Sequence, residues 1–126
     1  MRLLLDTHVL LWWLDDNPRL GRRSRKLIAD PATDVFVSQV SIWETAIKQR
    51  IGKLQIGPAE ILPRLPEFGF SLLEICNKHL LALVDLAKHH GDPFDHLLLA
   101  QASVEDAAIM TSDRKLPLYG VRCIPA

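Results

Sequence analysis

The sequence predicts an α/β domain: a central parallel β-sheet with helices on both faces. Three observations predict it. Short apolar runs alternate with helical stretches along all 126 residues. Each run is followed by polar residues, as expected of strands buried on both faces. No repeat, low-complexity segment or linker interrupts the pattern, so residues 1–126 read as one domain, long enough for a single core.

Leu3-Leu4-Leu5 is the first strand, with Asp6 at its carboxyl end. A helix over His8–Leu14 follows, with Thr7 as its expected cap. Val9, Leu10, Trp13 and Leu14 fall on one side of that helix; Leu11 and Trp12 lie outside the arc. Asn17-Pro18 breaks it. Leu20–Ala29 is a basic helix with Arg19 before it and Arg22, Arg23, Arg25 and Lys26 along it. Its charges suit either a solvated face or a nucleic-acid backbone. Val35-Phe36-Val37 is the second strand, ending in Ser38. Val40, Trp43, Ile47 and Ile51 then define an amphipathic helix whose apolar stripe is expected to face the core, closed by Gly52. A short helix over Ala59–Leu65, a third strand within Phe70–Ile75, and a helix capped by Asn77 and running to Lys88 come next.

Asp92 and Pro93 start the most apolar helix. Aspartate accepts from free first-turn amides, and proline fits where no N–H is needed. Phe94, Leu97, Leu98, Leu99, Ala100 and Ala102 cover most of its circumference, which marks a buried helix. Asp95 shares a face with Leu98, Leu99 and Ala102, so its carboxylate requires a partner. Ala107–Met110 is a fourth strand ending in Thr111-Ser112-Asp113, and Val121–Ile124 a last one after a turn at Pro117.

Fifteen basic and fifteen acidic residues give no net charge, hence no global basic footprint. Clustered acids are then the informative feature. Cys76 and Cys123 lack metal-type spacing and read as buried, reduced thiols. Met1–Leu14 has the outline of a leader, but Asp6 and His8 interrupt the apolar run and no small-residue cleavage site follows. No stretch approaches membrane-spanning length without a charge. The expectation is a cytoplasmic protein with no membrane partner.

In open α/β sheets, sites form beyond the carboxyl ends of the strands. Asp6 and Asp113 belong there. Asp95 enters on a helix N-terminus, and Glu44 follows the second strand by a few residues. Each has a simpler reading alone: Asp6 as a cap, Glu44 as the end of a Ser41-x-x-Glu44 capping box, Asp95 as a dipole partner, Asp113 as a turn residue. Together, four acids repel unless protonated or bridged by a cation, and oxygen ligands suit Mg²⁺ or Mn²⁺. Such a site suits attack of water on a phosphodiester. His8, His79, His89, His90 and His96 show no zinc spacing, and His96 reads as a solvated surface residue. No Gly-rich phosphate loop or Ser/Cys nucleophile signature is present.

The chain resembles the PIN-domain nucleases, and among them the VapC-like toxins of type II toxin–antitoxin systems. The likeness rests on Leu3-Leu4-Leu5-Asp6-Thr7-His8, on Ser38-x-x-Ser41-x-Trp43-Glu44-x-x-Ile47-Lys48, and on His90-Gly91-Asp92-Pro93-Phe94-Asp95 running on to Leu98-Leu99-Ala100-Gln101-Ala102. It closes on Met110-Thr111-Ser112-Asp113 with Tyr119 downstream. The third motif is quite specific, and the four in order are strong. His96 stands where the family often has arginine. The resemblance implies a PIN-like α/β/α sandwich and a Mg²⁺- or Mn²⁺-dependent ribonuclease. Asp6, Glu44, Asp95 and Asp113 would be the catalytic metal ligands, supported by Thr7, Thr111, Ser112 and Asp92. It also implies an RNA substrate, a cognate DNA-binding antitoxin and a homodimer. Leu11 and Trp12, outside the core-facing arc, are the expected antitoxin contacts. Two other functions remain open on the residues alone: a Mg²⁺-dependent phosphatase or phosphotransferase using Asp6 as nucleophile, and an inactive PIN-like module that binds RNA or protein.

Overall fold

The computed structural model describes residues 1–126. Five strands form one sheet: β1 (Arg2–Leu5), β2 (Asp34–Ser38), β3 (Ser71–Leu73), β4 (Ala108–Thr111) and β5 (Cys123–Pro125). All pairings are parallel, in the order β3-β2-β1-β4-β5. The helices are α1 (Thr7–Leu14), α2 (Arg22–Ala29), α3 (Gln39–Arg50), α4 (Pro58–Ile61), α5 (Asn77–Val84) and α6 (Pro93–Val104), with 3-10 turns at Leu62–Arg64, Pro66–Phe68 and Leu116–Tyr119. The α/β fold with a central parallel sheet is the one the sequence predicts. No helix is long and apolar enough to cross a membrane.

Strand side chains alternate between faces, and β1 divides the core accordingly. Leu3 and Leu5 join Val9, Leu10, Leu14, Leu20, Ile28, Ile61 and Leu65 on the α1/α2/α4 side. Leu4 joins Leu97, Leu98, Leu99, Ala102 and Leu116 on the α6 side. All three leucines of β1 are fully buried, each worth about 1.5–3 kcal/mol of apolar burial. The strand order reverses at β1: β2 lies on one side, β4 on the other. The crevice beyond the strand ends therefore falls between β1 and β4, where Asp6 and Thr111–Asp113 emerge.

Several expectations need correction. Asp6, not Thr7, caps α1, accepting from the Thr7 amide. Ser38 caps α3, so Ser41-x-x-Glu44 is no capping box. Of the stripe on α3 only Val40 faces the core: Trp43, Ile47 and Ile51 are exposed, and Ser41, Ile42, Glu44 and Thr45 are buried instead. The reason is placement. The helix leaves β2 over the strand ends, so Val40 and Ile42 reach the two core clusters while Ser41 and Glu44 meet Thr7 of α1. Gly52 does close α3, at φ +78°, with its N–H on Gln49 O and Lys53 N–H on Lys48 O. Cys76 precedes α5 in place of Asn77, and that helix ends at Val84, short of Lys88. Neither cysteine is buried: Cys76 is exposed and Cys123 half-buried. Leu11 and Trp12 are half-buried, packed against the first core cluster rather than free in solvent.

Candidate functional site

Asp6 sits where β1 passes into α1, and the sharp exit leaves its side chain as the helix cap. Oδ1 accepts from the Thr7 amide at 2.8 Å and Oδ2 from the Thr111 hydroxyl at 2.7 Å. Only 4% of the residue is exposed. Burial pushes its carboxyl above the ordinary carboxylate range. His8, Thr111 and the Thr7 amide oppose that, and Glu44 adds to it.

Thr7 faces α3. Its hydroxyl lies 2.8 Å from Glu44 Oε1 and 2.9 Å from Ser41 Oγ. A carboxylate only accepts, so the Thr7 proton goes to Glu44 and Ser41 donates to Thr7. Glu44 Oε2 meets Lys48 Nζ at 2.7 Å. On the far side, Thr111 serves two partners at once: it donates to Asp6 and accepts from the Asp113 amide at 3.0 Å. Asp113 Oδ1 accepts from the Lys115 amide at 2.9 Å, which fixes the turn after β4.

Asp92 is the cap of α6, with Oδ1 accepting from the Phe94 and Asp95 amides. Asp95 follows in the first turn, nine-tenths buried. Burial pushes its carboxyl up to about 6; Asp6 and Asp92 add to the rise, and His90 opposes it.

Asp6, Glu44, Asp95 and Asp113 line one cavity of about 170 Å³, together with Thr7, His8, Leu11, Lys48 and Asp92. A wider cleft of about 510 Å³ shares Glu44, Lys48, Asp92, Asp95 and Asp113 with it and adds His90, Phe94 and Lys115. His90, Asp95 and Asp113 each bring one possible ligand atom within 4.8 Å of the others. Two carboxylates, Asp95 and Asp113, converge in that set, while Asp6 and Glu44 line the same cavity outside it; oxygen donors of this kind fit a hard divalent cation, and burial disfavours leaving them charged and alone. Thr7, Thr111 and Asp92 hold the acids. Ser112 does so indirectly, through His8: its N–H donates to His8 Nε2 at 3.2 Å, and its Oγ lies 2.8 Å from the same nitrogen. That places the proton of the neutral ring on Nδ1, 3.4 Å from Asp6 Oδ2.

The histidines are where residue-by-residue reading fell short. His79 is buried, with Nε2 2.9 Å from Glu105 Oε2. His96 is half-buried and hydrogen-bonded, not solvated. His90 sits against Asp95, and its five-residue separation across a Gly-Asp-Pro turn matches no ligand spacing rule.

The family model described as the PIN domain matches residues 3–121. Ribonuclease VapC22 of Mycobacterium tuberculosis is 28% identical over 116 residues, covering 90% of this chain and 88% of that protein. Among solved structures, VapBC2 from Rickettsia felis bound to a promoter DNA fragment aligns with a TM-score of 0.75 at 15% identity, over 99% of this chain and 98% of that one. DNA-bound VapBC from Salmonella typhimurium aligns at 0.72 with 14% identity, over the same shares. These last two likenesses concern the fold. The family match takes in strands β2 to β4 and all four acids, and the chain belongs to the PIN-domain family.

Proposed function

We propose that the protein is a metal-dependent endoribonuclease and the toxin of a toxin–antitoxin pair. One observation carries the reading: four acids from four separate elements line a single small cavity at the point where the strand order reverses. In a chain with no net charge, that concentration of carboxylates calls for a bound cation. Mg²⁺ or Mn²⁺ held by Asp6, Glu44, Asp95 and Asp113, directly or through water, would lower the pKa of a bound water and stabilise charge on the phosphoryl oxygens. Asp6 and Glu44 are held by Thr111 and Thr7, so their orientation is set before substrate arrives. Lys48 and the exposed Lys115 border the wider cleft, where they suit contacts to the RNA backbone.

The use of Asp6 as a phosphoryl-accepting nucleophile is disfavoured by its surroundings. Both of its oxygens accept hydrogen bonds, which lowers their nucleophilicity while leaving lone pairs for a cation, and the residue two positions on is His8, not a second acid. The kinship with VapC22, whose name is that of a ribonuclease, supports RNA as substrate. The likeness to VapBC assemblies supports an antitoxin partner, with Leu11 at the cavity and neighbouring Trp12 among its contacts. A cytoplasmic homodimer completes the proposal. The test is an RNA cleavage assay on purified protein. Cleavage should appear with Mn²⁺ or Mg²⁺ and stop with chelator; cleavage that persists in chelator contradicts the metal role.

A further inference from the structure

We propose that Tyr119 and His90 form a positioning relay that fixes which way Asp95 faces. The inference rests on the metal-site reading of Asp95 and extends it to two residues outside the acid set.

The Tyr119 hydroxyl stands at the end of the last 3-10 turn. It receives two backbone donors, the N–H of His89 at 3.0 Å and the N–H of His90 at 3.1 Å. Backbone amides only donate, so both lone pairs of the phenol oxygen are occupied. The phenol proton must then point elsewhere, and His90 Nδ1 lies 2.6 Å away. His90 Nδ1 is therefore an acceptor. The neutral ring carries its proton on Nε2, which faces Asp95 Oδ2 at 2.9 Å. The relay runs in one direction: backbone amides, Tyr119, His90, Asp95.

His96 closes the arrangement from below. Its Nε2 is 2.7 Å from the His90 carbonyl, which only accepts, so that nitrogen is the donor and its proton goes there; Tyr119 Oη, 3.1 Å away with its lone pairs already taken, is a neighbour and not a second acceptor. The segment between α5 and α6 has no regular structure of its own. Tyr119 thus supplies what its backbone lacks, a partner for two amides, and in doing so sets the tautomer of His90. With Oδ2 taken by His90, Asp95 Oδ1 is the oxygen left for a cation. Because His90 Nε2 carries the proton, His90 orients the carboxylate and does not ligate the ion. Hydrogen-bond partners of metal ligands commonly matter 10- to 100-fold in affinity.

Calorimetric titration of the purified full chain with Mn²⁺ tests this apart from activity. His90→Ala is expected to weaken Mn²⁺ binding by roughly 10- to 100-fold. Tyr119→Phe should weaken it in the same direction, and the double variant should bind no more weakly than His90→Ala, because the two act in series. Two-bond proton–nitrogen NMR spectra should show His90 protonated on Nε2 in the parent and a mixture of tautomers in Tyr119→Phe. If His90→Ala does not fold in chelator, Tyr119→Phe and the spectra decide the question. Parent-like Mn²⁺ affinity in Tyr119→Phe, or a proton on His90 Nδ1 in the parent, overturns the relay. Asp95→Asn separates the two readings: if it retains parent affinity the metal site itself is wrong, and if it alone loses affinity only the relay is wrong.

Discussion

The Thr111 hydroxyl donates to Asp6 Oδ2 at 2.7 Å and so joins the ends of two adjacent strands, β4 and β1. This bond is buried, and one of its partners is an acid with 4% exposure. Removing the donor leaves carboxylate oxygen without a partner, which typically costs about 1–3 kcal/mol. Thr111→Val should lose about that much in urea unfolding at pH 7, while Thr111→Ser keeps most of the stability. Equal stability of the two variants would show that the hydroxyl carries no such role.

Asp95 gives the pH dependence its sign. Burial pushes its folded-state carboxyl up to about 6, above the ordinary 3.8. Between those values the folded state holds more protons than the unfolded one, so this group's contribution to stability falls as pH rises through the window. Above 6 the charged residue destabilises the metal-free fold. Asp6, also raised, acts in the same sense. In chelator at pH 7, Asp95→Asn should melt above the parent, and the gap should close as pH drops to 4. A gap that stays constant or reverses sign at pH 7 contradicts the assignment. Divalent metal should remove the parent's deficit, since the cation replaces the proton.

The two faces of α3 should respond oppositely to substitution. Ile47 and Ile51 are exposed, so Ile47→Ser and Ile51→Ser should change monomer stability by no more than about 0.5 kcal/mol. Ile42 is buried in the core cluster, and Ile42→Ala should cost about 2–5 kcal/mol. Guanidinium unfolding curves distinguish the outcomes; a large loss at Ile51 would return the stripe to the core.

Trp12 packs edge-on against His8, with ring centroids 4.9 Å apart, and only part of it faces solvent. Interface anchors of this kind typically cost more than about 1 kcal/mol on truncation. Trp12→Ala should weaken binding of the proposed antitoxin partner by at least about tenfold, mainly by faster dissociation. Unchanged affinity removes Trp12 from the proposed contact.

Much of this architecture could be read from residue order because its signals are local. The leucines of β1, the Asp92-Pro93 start of α6 and the apolar circumference around Asp95 each depend on near neighbours, and each matches the structure. The α3 stripe misled because periodicity shows that a helix has an apolar face, not what that face meets. Glu44, Ser41 and Thr45 are the buried side, since α1 presents Thr7 there. Ser112 is an expected support and Tyr119 belongs to the closing motif, but residue order does not name their partners: Tyr119 pairs with His90 across 29 residues, Ser112 with His8 across 104. No spacing rule reaches that far, and the bland chemistry of a tyrosine or a serine gives no hint by itself.

The most direct test of the central claim is the rate of RNA cleavage in Mn²⁺ by Asp6→Asn and Asp95→Asn. These acids come from opposite ends of the chain and line one cavity. Both variants should fold and both should lose at least about a hundredfold in rate, a difference of about 2.7 kcal/mol in barrier. Undiminished cleavage by either folded variant would contradict a shared metal centre.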